Sequence, residues 1–308
     1  PSLFDTFSAV KGRVMTGYHA NLSYSPYIDS LLNTWQDDYS DRGYALRFTF
    51  ATTKEEAGIS QSTGFAAFTP AEQTTFKKLV DIATSVCGLK VVWVDHNQPF
   101  DVSICNDDEL SWKYGAHGVS GGKSLRLDTG YDPLTLGSYR ARGAYHELGH
   151  TFGLRHNVFT DEQLGGATPS DHLALNYSVM VGNYGQGVIG SLIDQDTSLQ
   201  TMGMDDIRAL QYLYGADFTC NAGNTVYTWN PTTGEEFVNG VGATAPRIPA
   251  LLLTIWDGGG NDTYDLSNFT TDLNIDLRPG QWSMVSKEML QHVMDPVHAI
   301  LPGNIANA

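Results

Sequence analysis

The sequence predicts an α+β protein. A mixed sheet-and-helix domain is expected over residues 1–218, and a small all-β domain over residues 219–308. Three observations carry this. An alternating apolar stretch, Tyr44 to Thr53, precedes a helix with two start signals, Thr69 and Pro70. A later helix, about Ser138 to Gly153, carries histidines four residues apart. After Phe218 the chain turns to short strand-like runs between Gly, Asn and Asp turns.

The first domain reads in order as follows. A helical turn is expected near Tyr27 to Leu32. In Tyr44 to Thr53, Leu46, Phe48 and Phe50 share one face and Arg47 and Thr49 the other, a half-buried strand. Thr69 caps the next helix, Pro70 takes its first position, and Glu72 completes a capping box. That helix runs to about Val86 and buries Phe76, Leu79, Val80 and Ala83. Leu89 to Val94 reads as a buried strand and Val102 to Cys105 as another. Gly115 to Gly122 is an exposed strand or flap. Asp205 to Tyr214 is a helix apolar at Ile207, Leu210 and Leu213, with Gly215 as its stop. In the second domain, Asn224 to Trp229 and Ala250 to Trp256 read as strands, and Asp257 to Asp265 as turn-rich.

Composition narrows the function. At 308 residues with 41% hydrophobic and 17% charged side chains, the chain is no charged disordered polymer. Its longest apolar run, Ala250 to Trp256, is far short of the ~20 residues of a membrane span. A net charge of −16 repels phosphate backbones, so no nucleic-acid partner is expected, and it suits an exported protein that binds divalent cations. Cys87, Cys105 and Cys220 form no CxxC site. One bridge from Cys87 to Cys105, or three buried thiols, are both open. The opening Pro1-Ser2-Leu3-Phe4 reads as a processed form.

The segment that carries chemistry is His146-Glu147-Leu148-Gly149-His150-Thr151-Phe152-Gly153-Leu154-Arg155-His156. On a helix, His146 and His150 project from one face about 5–6 Å apart at Cβ. That suits two nitrogens at ~2.0–2.1 Å from one zinc ion. Gly153 can take positive φ, so the chain can turn back and deliver His156 as the third ligand. Three neutral imidazoles leave a fourth position open, which marks a catalytic site. Glu147 leans to one side, placed as general base for a water on the metal.

HELGHTFGLRH matches the metzincin pattern HExxHxxGxxH. Asn176-Tyr177-Ser178-Val179-Met180 resembles the methionine turn of that clan, which implies Met180 as the floor beneath the zinc. The ordinary alternative for Met180 is a core filler. Met204 to Ala216 resembles the last catalytic-domain helix of the serralysins, and Asn224 to Tyr227 with Ile255 to Ser267 is similar to the entry of their calcium-binding β-roll. The resemblance implies a metzincin catalytic domain, with a twisted five-stranded sheet and two long helices, followed by a β-roll-like domain. It also implies a calcium ion held by Asn221, Gly223 and Thr225 with Asp257, Gly259 and Asp262. A solvated glycine turn is the plain alternative there.

Two departures stand out. Serralysins place a tyrosine two residues after the turn methionine, and here that position is Gly182. Tyr184 is the candidate replacement for stabilising the oxyanion, with Tyr177 the lesser one. No run of GGxGxDxxx nonapeptides follows in this chain.

The reading is a zinc-dependent endopeptidase that hydrolyses internal peptide bonds, with Glu147 passing a proton from water to the leaving amine. Its substrate, a protein or peptide, is expected to add as an extended strand to the edge Gly115 to Val119. Residues 160–187 then line the pocket beyond the scissile bond, and His117 is a solvent-facing loop residue. The resemblance implies a monomer secreted to the outside or surface of a bacterial cell through type I export, with a propeptide or protein inhibitor as further partner. One alternative is a different metzincin clan member, such as a matrixin-like enzyme; the other, raised by Gly182, is a catalytically weak zinc-containing interaction or surface-layer-associated module.

Overall fold

The computed structural model describes residues 23, 25–32, 45–110, 118–121, 123–130, 132–156, 168–172, 176–181, 198–290 and 303–308. The architecture is mixed α+β. In chain order, helix α1 is Pro26–Asp29, followed by strands β1 (Ala45–Phe50) and β2 (Phe65–Ala66). Helix α2 is Pro70–Thr84, then come β3 (Lys90–Trp93), β4 (Val102–Asp107), β5 (Gly118–Gly121) and β6 (Ser124–Leu127). Helices α3 (Tyr139–Thr151) and α4 (Met204–Tyr214) complete this part.

These strands form one sheet in the order β3-β1-β4-β6-β5, with β2 paired to β4. β1, β3, β4 and β6 run parallel, and β5 is antiparallel to β6 at the open edge. The expected edge therefore coincides with β5 at Gly118 and Val119, while residues 115–117, His117 among them, lie outside the described residues.

The helices cover the sheet as their sequence periods dictate. Thr69 Oγ1 accepts from the Glu72 N–H, and the Glu72 carboxylate accepts from the Thr69 N–H at 2.8 Å, so the capping box is made in full. α2 buries Phe76, Leu79, Val80 and Ala83 against Leu46, Phe48 and Ile104 of the sheet. α3 adds Ala141, Ala144, Tyr145 and Leu148 to the same core. Each fully buried Leu or Phe contributes roughly 1.5–3 kcal/mol. Arg140 of α3 reaches Glu72 at 2.8 Å and Asn106 at 2.6 Å, which locks α2, β4 and α3 together.

Two expectations need correction, and one open choice is decided. β3 is half exposed, with Val92 at 47%, because it is the outer strand of the sheet. α2 ends at Thr84, two residues short of the expected Val86, because Cys87 is drawn into a β-bridge with Ala216 and the Gly88 N–H donates to the Gly215 carbonyl at 2.9 Å. Cys87 and Cys105 are free thiols in different clusters, Cys87 in the main core and Cys105 against Ala51 and Ala57. Burial pushes Cys87 up to about 11 and Cys105 up to about 12, so both are inert. Cys220 is also free.

The remaining strands are β7 (Val226–Trp229), β8 (Glu236–Val238), β9 (Val241–Gly242), β10 (Leu253–Ile255), β11 (Thr263–Asp265), β12 (Trp282–Ser283) and β13 (Ile305–Asn307). They form two sheets, β11-β7-β8-β9 and β10-β13-β12. Alternation works at residue resolution here: Leu251 and Leu253 enter a second core with Tyr227, Trp229 and Ile305, whereas Leu252 faces the first.

Glu236 lies opposite Trp229 across β7 and β8, and its Oε1 is buried without a hydrogen-bond partner among the described residues. Burial pushes its carboxyl up to about 7, offset only in part by the Trp229 indole. The folded chain thus keeps a proton that the unfolded chain releases near its ordinary value of 4.5, so this residue costs stability as pH rises from about 4.5 to 7. Glu236→Gln is expected to raise Tm relative to the parent at pH 8 and leave it close to the parent at pH 4.5. Paired thermal melts check this, and a gap confined to the acid end would contradict it.

Candidate metal centre

α3 begins at Ser138, whose hydroxyl accepts from the Ala141 N–H. It ends as the sequence requires: Gly153 takes φ 96°, the Gly153 N–H donates to His150, and the Leu154 N–H returns to the Gly149 carbonyl at 2.8 Å. The chain then runs beside the segment after α1. Leu154 bridges Leu32, the Arg155 N–H donates to the Leu31 carbonyl at 2.8 Å, and Arg155 Nε donates to the Ser30 carbonyl at 3.0 Å. These bonds aim His156 back at the helix.

His156 Nε2 lies 2.9 Å from His146 Nε2 and 3.1 Å from His150 Nε2. The three ligand atoms all lie within 4.8 Å of one another. His146 Nδ1 faces the Val179 carbonyl at 2.8 Å and His150 Nδ1 the Leu154 carbonyl at 3.0 Å, so these nitrogens carry the protons. The Nε2 lone pairs of His146 and His150 then point toward His156 Nε2, where a cation can sit among the three. Burial, with the neighbouring imidazoles, holds His146 well below its ordinary value and His156 down at about 4, and burial lowers His150 too. Three neutral nitrogens converging at one point are the donor set a zinc ion takes, and the spacings are close to the roughly 3.3 Å edge of a tetrahedron with ~2.0–2.1 Å bonds.

Met180 is fully buried, and its thioether packs so closely on Gly149 that a Cβ there would strike the sulfur. The methionine thus lies directly under the helical turn that bears His150. The turn around it is held by Asp206, which is 0% exposed. The Asp206 carboxylate accepts from the Ser178 hydroxyl at 2.6 Å, the Val179 N–H at 2.8 Å and the Gly203 N–H at 2.9 Å. Val179 in turn orients His146 through its carbonyl, so Asp206 acts on the site at one remove. Asp206→Ala strands three buried donors at ~1–3 kcal/mol each. It is expected to lower Tm and to weaken zinc binding about 10–100-fold, measured by competition with a chelating dye. Wild-type zinc affinity in that variant would refute the linkage.

Glu147 is 5% exposed and its Oε2 is buried with no hydrogen-bond partner among the described residues. β5 holds it: the Ser120 N–H donates to the carboxylate, and a Cβ at Gly118 would lie 2.7 Å from Glu147 Cγ. The Ser120 hydroxyl lies 2.8 Å from that of Thr151, which donates to the Glu147 carbonyl at 2.9 Å. Burial pushes the Glu147 carboxyl up to about 8 in the metal-free protein. A dication beside it favours the anion instead.

The residues named for calcium fall into two adjoining turns, aligned by the parallel pairing of β7 with β11. The Asn221 and Gly223 carbonyls both accept from the Thr225 hydroxyl at 3.1 Å, and Asp262 accepts from the Thr225 N–H at 2.9 Å. Asp257 accepts from the Gly259 N–H at 2.8 Å and from the Tyr227 hydroxyl at 2.7 Å. All are oxygen donors, the chemistry calcium prefers. Tyr184 and Gly182 lie outside the described residues. Tyr177 instead stacks on His172 at 3.9 Å.

Three histidines delivered by HExxHxxGxxH above a buried methionine turn define the metzincin class. Residues 216–290 match the family model described as Peptidase M10 serralysin C terminal. The chain is 34% identical over 152 residues to a serralysin of Proteus mirabilis, covering 49% of this chain and 30% of that protein. It is 29% identical over 262 residues to the metallopeptidase AprA of Pseudomonas marginalis, covering 78% and 54%, and 27% identical over 276 residues to serralysin B of Dickeya chrysanthemi, covering 82% and 55%. The chain therefore spans at most about half the length of these relatives. Over these spans it is similar to the serralysin family of metzincins.

Proposed function

We propose that this chain is a secreted zinc metalloendopeptidase that cleaves internal peptide bonds of protein substrates. The observation that carries the reading is the convergence of three Nε2 atoms at the end of the helix that also bears Glu147, whose Oε2 is buried and unpartnered among the described residues. His146, His150 and His156 would hold the ion. When bound, zinc supplies a Lewis acid that polarises a carbonyl and acidifies water toward ~7. Glu147 takes the proton from the attacking water and returns it to the leaving amine. Ser120 and Gly118 hold the carboxylate from the β5 side. The backbone of β5, with its outer edge unpaired within the sheet, receives the substrate as an added strand.

The proposed division places this chemistry in residues 1–218 and a β-roll-like region, with calcium at the paired turns, in residues 219–308. Asn221, Gly223, Thr225, Asp257, Gly259 and Asp262 supply the calcium oxygens, and Tyr184 remains the candidate oxyanion donor. Export by a bacterial type I route and a monomeric state belong to the same reading, as does inhibition by a propeptide or protein inhibitor. No helix among the described residues is long and apolar enough to cross a membrane. The weakly catalytic module is not favoured by relatives named as serralysins and metallopeptidases. Digestion of casein, with and without a chelator, tests the proposal.

A further inference from the structure

The partly exposed residues of α3 are Tyr139, Arg142, Gly143, His146, His150 and Thr151, while the residues between them are mostly buried. Most of them recur at helical spacing, so Arg142, His146 and His150 lie on one stripe at successive turns. Arg142 is one turn, about 6 Å of helix rise, before the first zinc-site histidine. Its positive charge is among the causes that depress His146.

The Arg142 guanidinium lacks what five other described arginines of this acidic chain have. Arg47, Arg126, Arg140, Arg247 and Arg278 each pair with a carboxylate at 2.5–3.1 Å. Arg142 has no carboxylate partner among the described residues. It lies over the Tyr139 ring at 4.5 Å and hydrogen-bonds the Tyr139 side chain, and its Nε is buried without an acceptor among the described residues. An unneutralised, largely desolvated guanidinium is costly to keep. Its planar fork fits a carboxylate better than any other common group.

We propose that Arg142 is a substrate-recognition residue: its guanidinium, on the same helical stripe as the zinc-site histidines and without an acid of its own, binds an aspartate or glutamate side chain of the substrate. An extended peptide advances about 3.3 Å per residue, so one turn of α3 puts that carboxylate within about two residues of the scissile bond. The inference rests on the endopeptidase reading for its setting, and its test has a readout that does not need turnover.

Peptides blocked at both ends, so that no terminal carboxylate competes, are made with Glu or Gln at each of the two positions on either side of the cleaved bond. For the zinc-loaded protein, kcat/KM for the Glu peptide is expected to exceed that of its Gln twin by about tenfold or more at one position, and the ratio to shrink as salt rises. Arg142→Gln brings the ratio to about one, Arg142→Lys keeps part of it, and Arg142→Glu turns the preference toward Lys. Zinc content per chain verifies the fold of each variant, and if the Gln variant loses zinc, the Lys variant and the salt series decide. Calorimetry with the zinc-loaded Glu147→Gln protein measures binding of the same pairs without cleavage. Equal efficiency on every Glu and Gln pair, or a Glu preference that survives in Arg142→Gln, overturns the assignment. A protein that cleaves none of the peptides sinks the endopeptidase reading alone. Arg142 is then decided by calorimetry, where tighter binding of the Glu peptide supports it and equal binding overturns it.

Discussion

Glu147→Ala is expected to lower proteolysis by about 10³-fold or more while the protein still binds close to one zinc per chain. The two readouts separate because the carboxylate and the imidazoles leave α3 in different directions. Glu147 Oε2 has no hydrogen-bond partner among the described residues, and the carboxylate is held from the β5 side. The bonds shown to orient His146 and His150 do not involve it: His146 leans on Val179 and His150 on Leu154, while the chain leading to His156 is held by Leu31 and Leu32. Truncation to Ala removes a buried group with few bonds, so the fold should tolerate it. Glu147→Gln keeps the shape but cannot accept the proton, and should fall nearly as far. Initial rates on casein with zinc analysis on the same sample check both. Full activity in either variant would remove Glu147 from the reaction.

Chelation is expected to abolish proteolysis outright, and stoichiometric zinc to restore it. It should also lower Tm, because an ion that binds only the folded chain adds RT ln(1 + [L]/Kd), about 4 kcal/mol at a thousandfold excess over Kd. The structure locates the loss. Without a cation the three Nε2 atoms keep only the contacts they make with one another at 2.9 and 3.1 Å, and the Gly153 bend that brings His156 home gains no metal bond in return. Thermal melts of metal-free and zinc-loaded protein measure the difference. Proteolysis that survives thorough chelation would contradict a metal reaction.

The convergence of the three histidines was legible because its geometry is local. The i, i+4 spacing of His146 and His150 is a property of any α-helix, and Gly153 marks the only bend needed to reach His156. The capping box at Thr69 and Glu72 was readable for the same reason. What supports the ligands was not. Asp206 meets Ser178 and Val179 across 28 and 27 residues, and Arg155 meets Ser30 across 125. The only local sign of Asp206 was an acid in the first turn of α4, which reads as an ordinary cap. The grip of Gly118 and Ser120 on Glu147 depends on β5 being the outer strand beside α3, and sheet order leaves no periodic trace. The exposure of β3 was misjudged on the same ground: Val91 and Val92 look like core until the sheet ends there. Leu251 to Leu253 read as one apolar run, yet its alternate residues serve two cores.

X-ray absorption at the zinc edge, on protein stripped of metal and reloaded with one equivalent, bears most directly on the metal centre. The geometry of His146, His150 and His156 predicts one zinc per chain with three imidazole nitrogens at ~2.0–2.1 Å and a lighter oxygen ligand completing the shell. A spectrum of freely hydrated zinc, with six oxygens and no imidazole scattering, would contradict it.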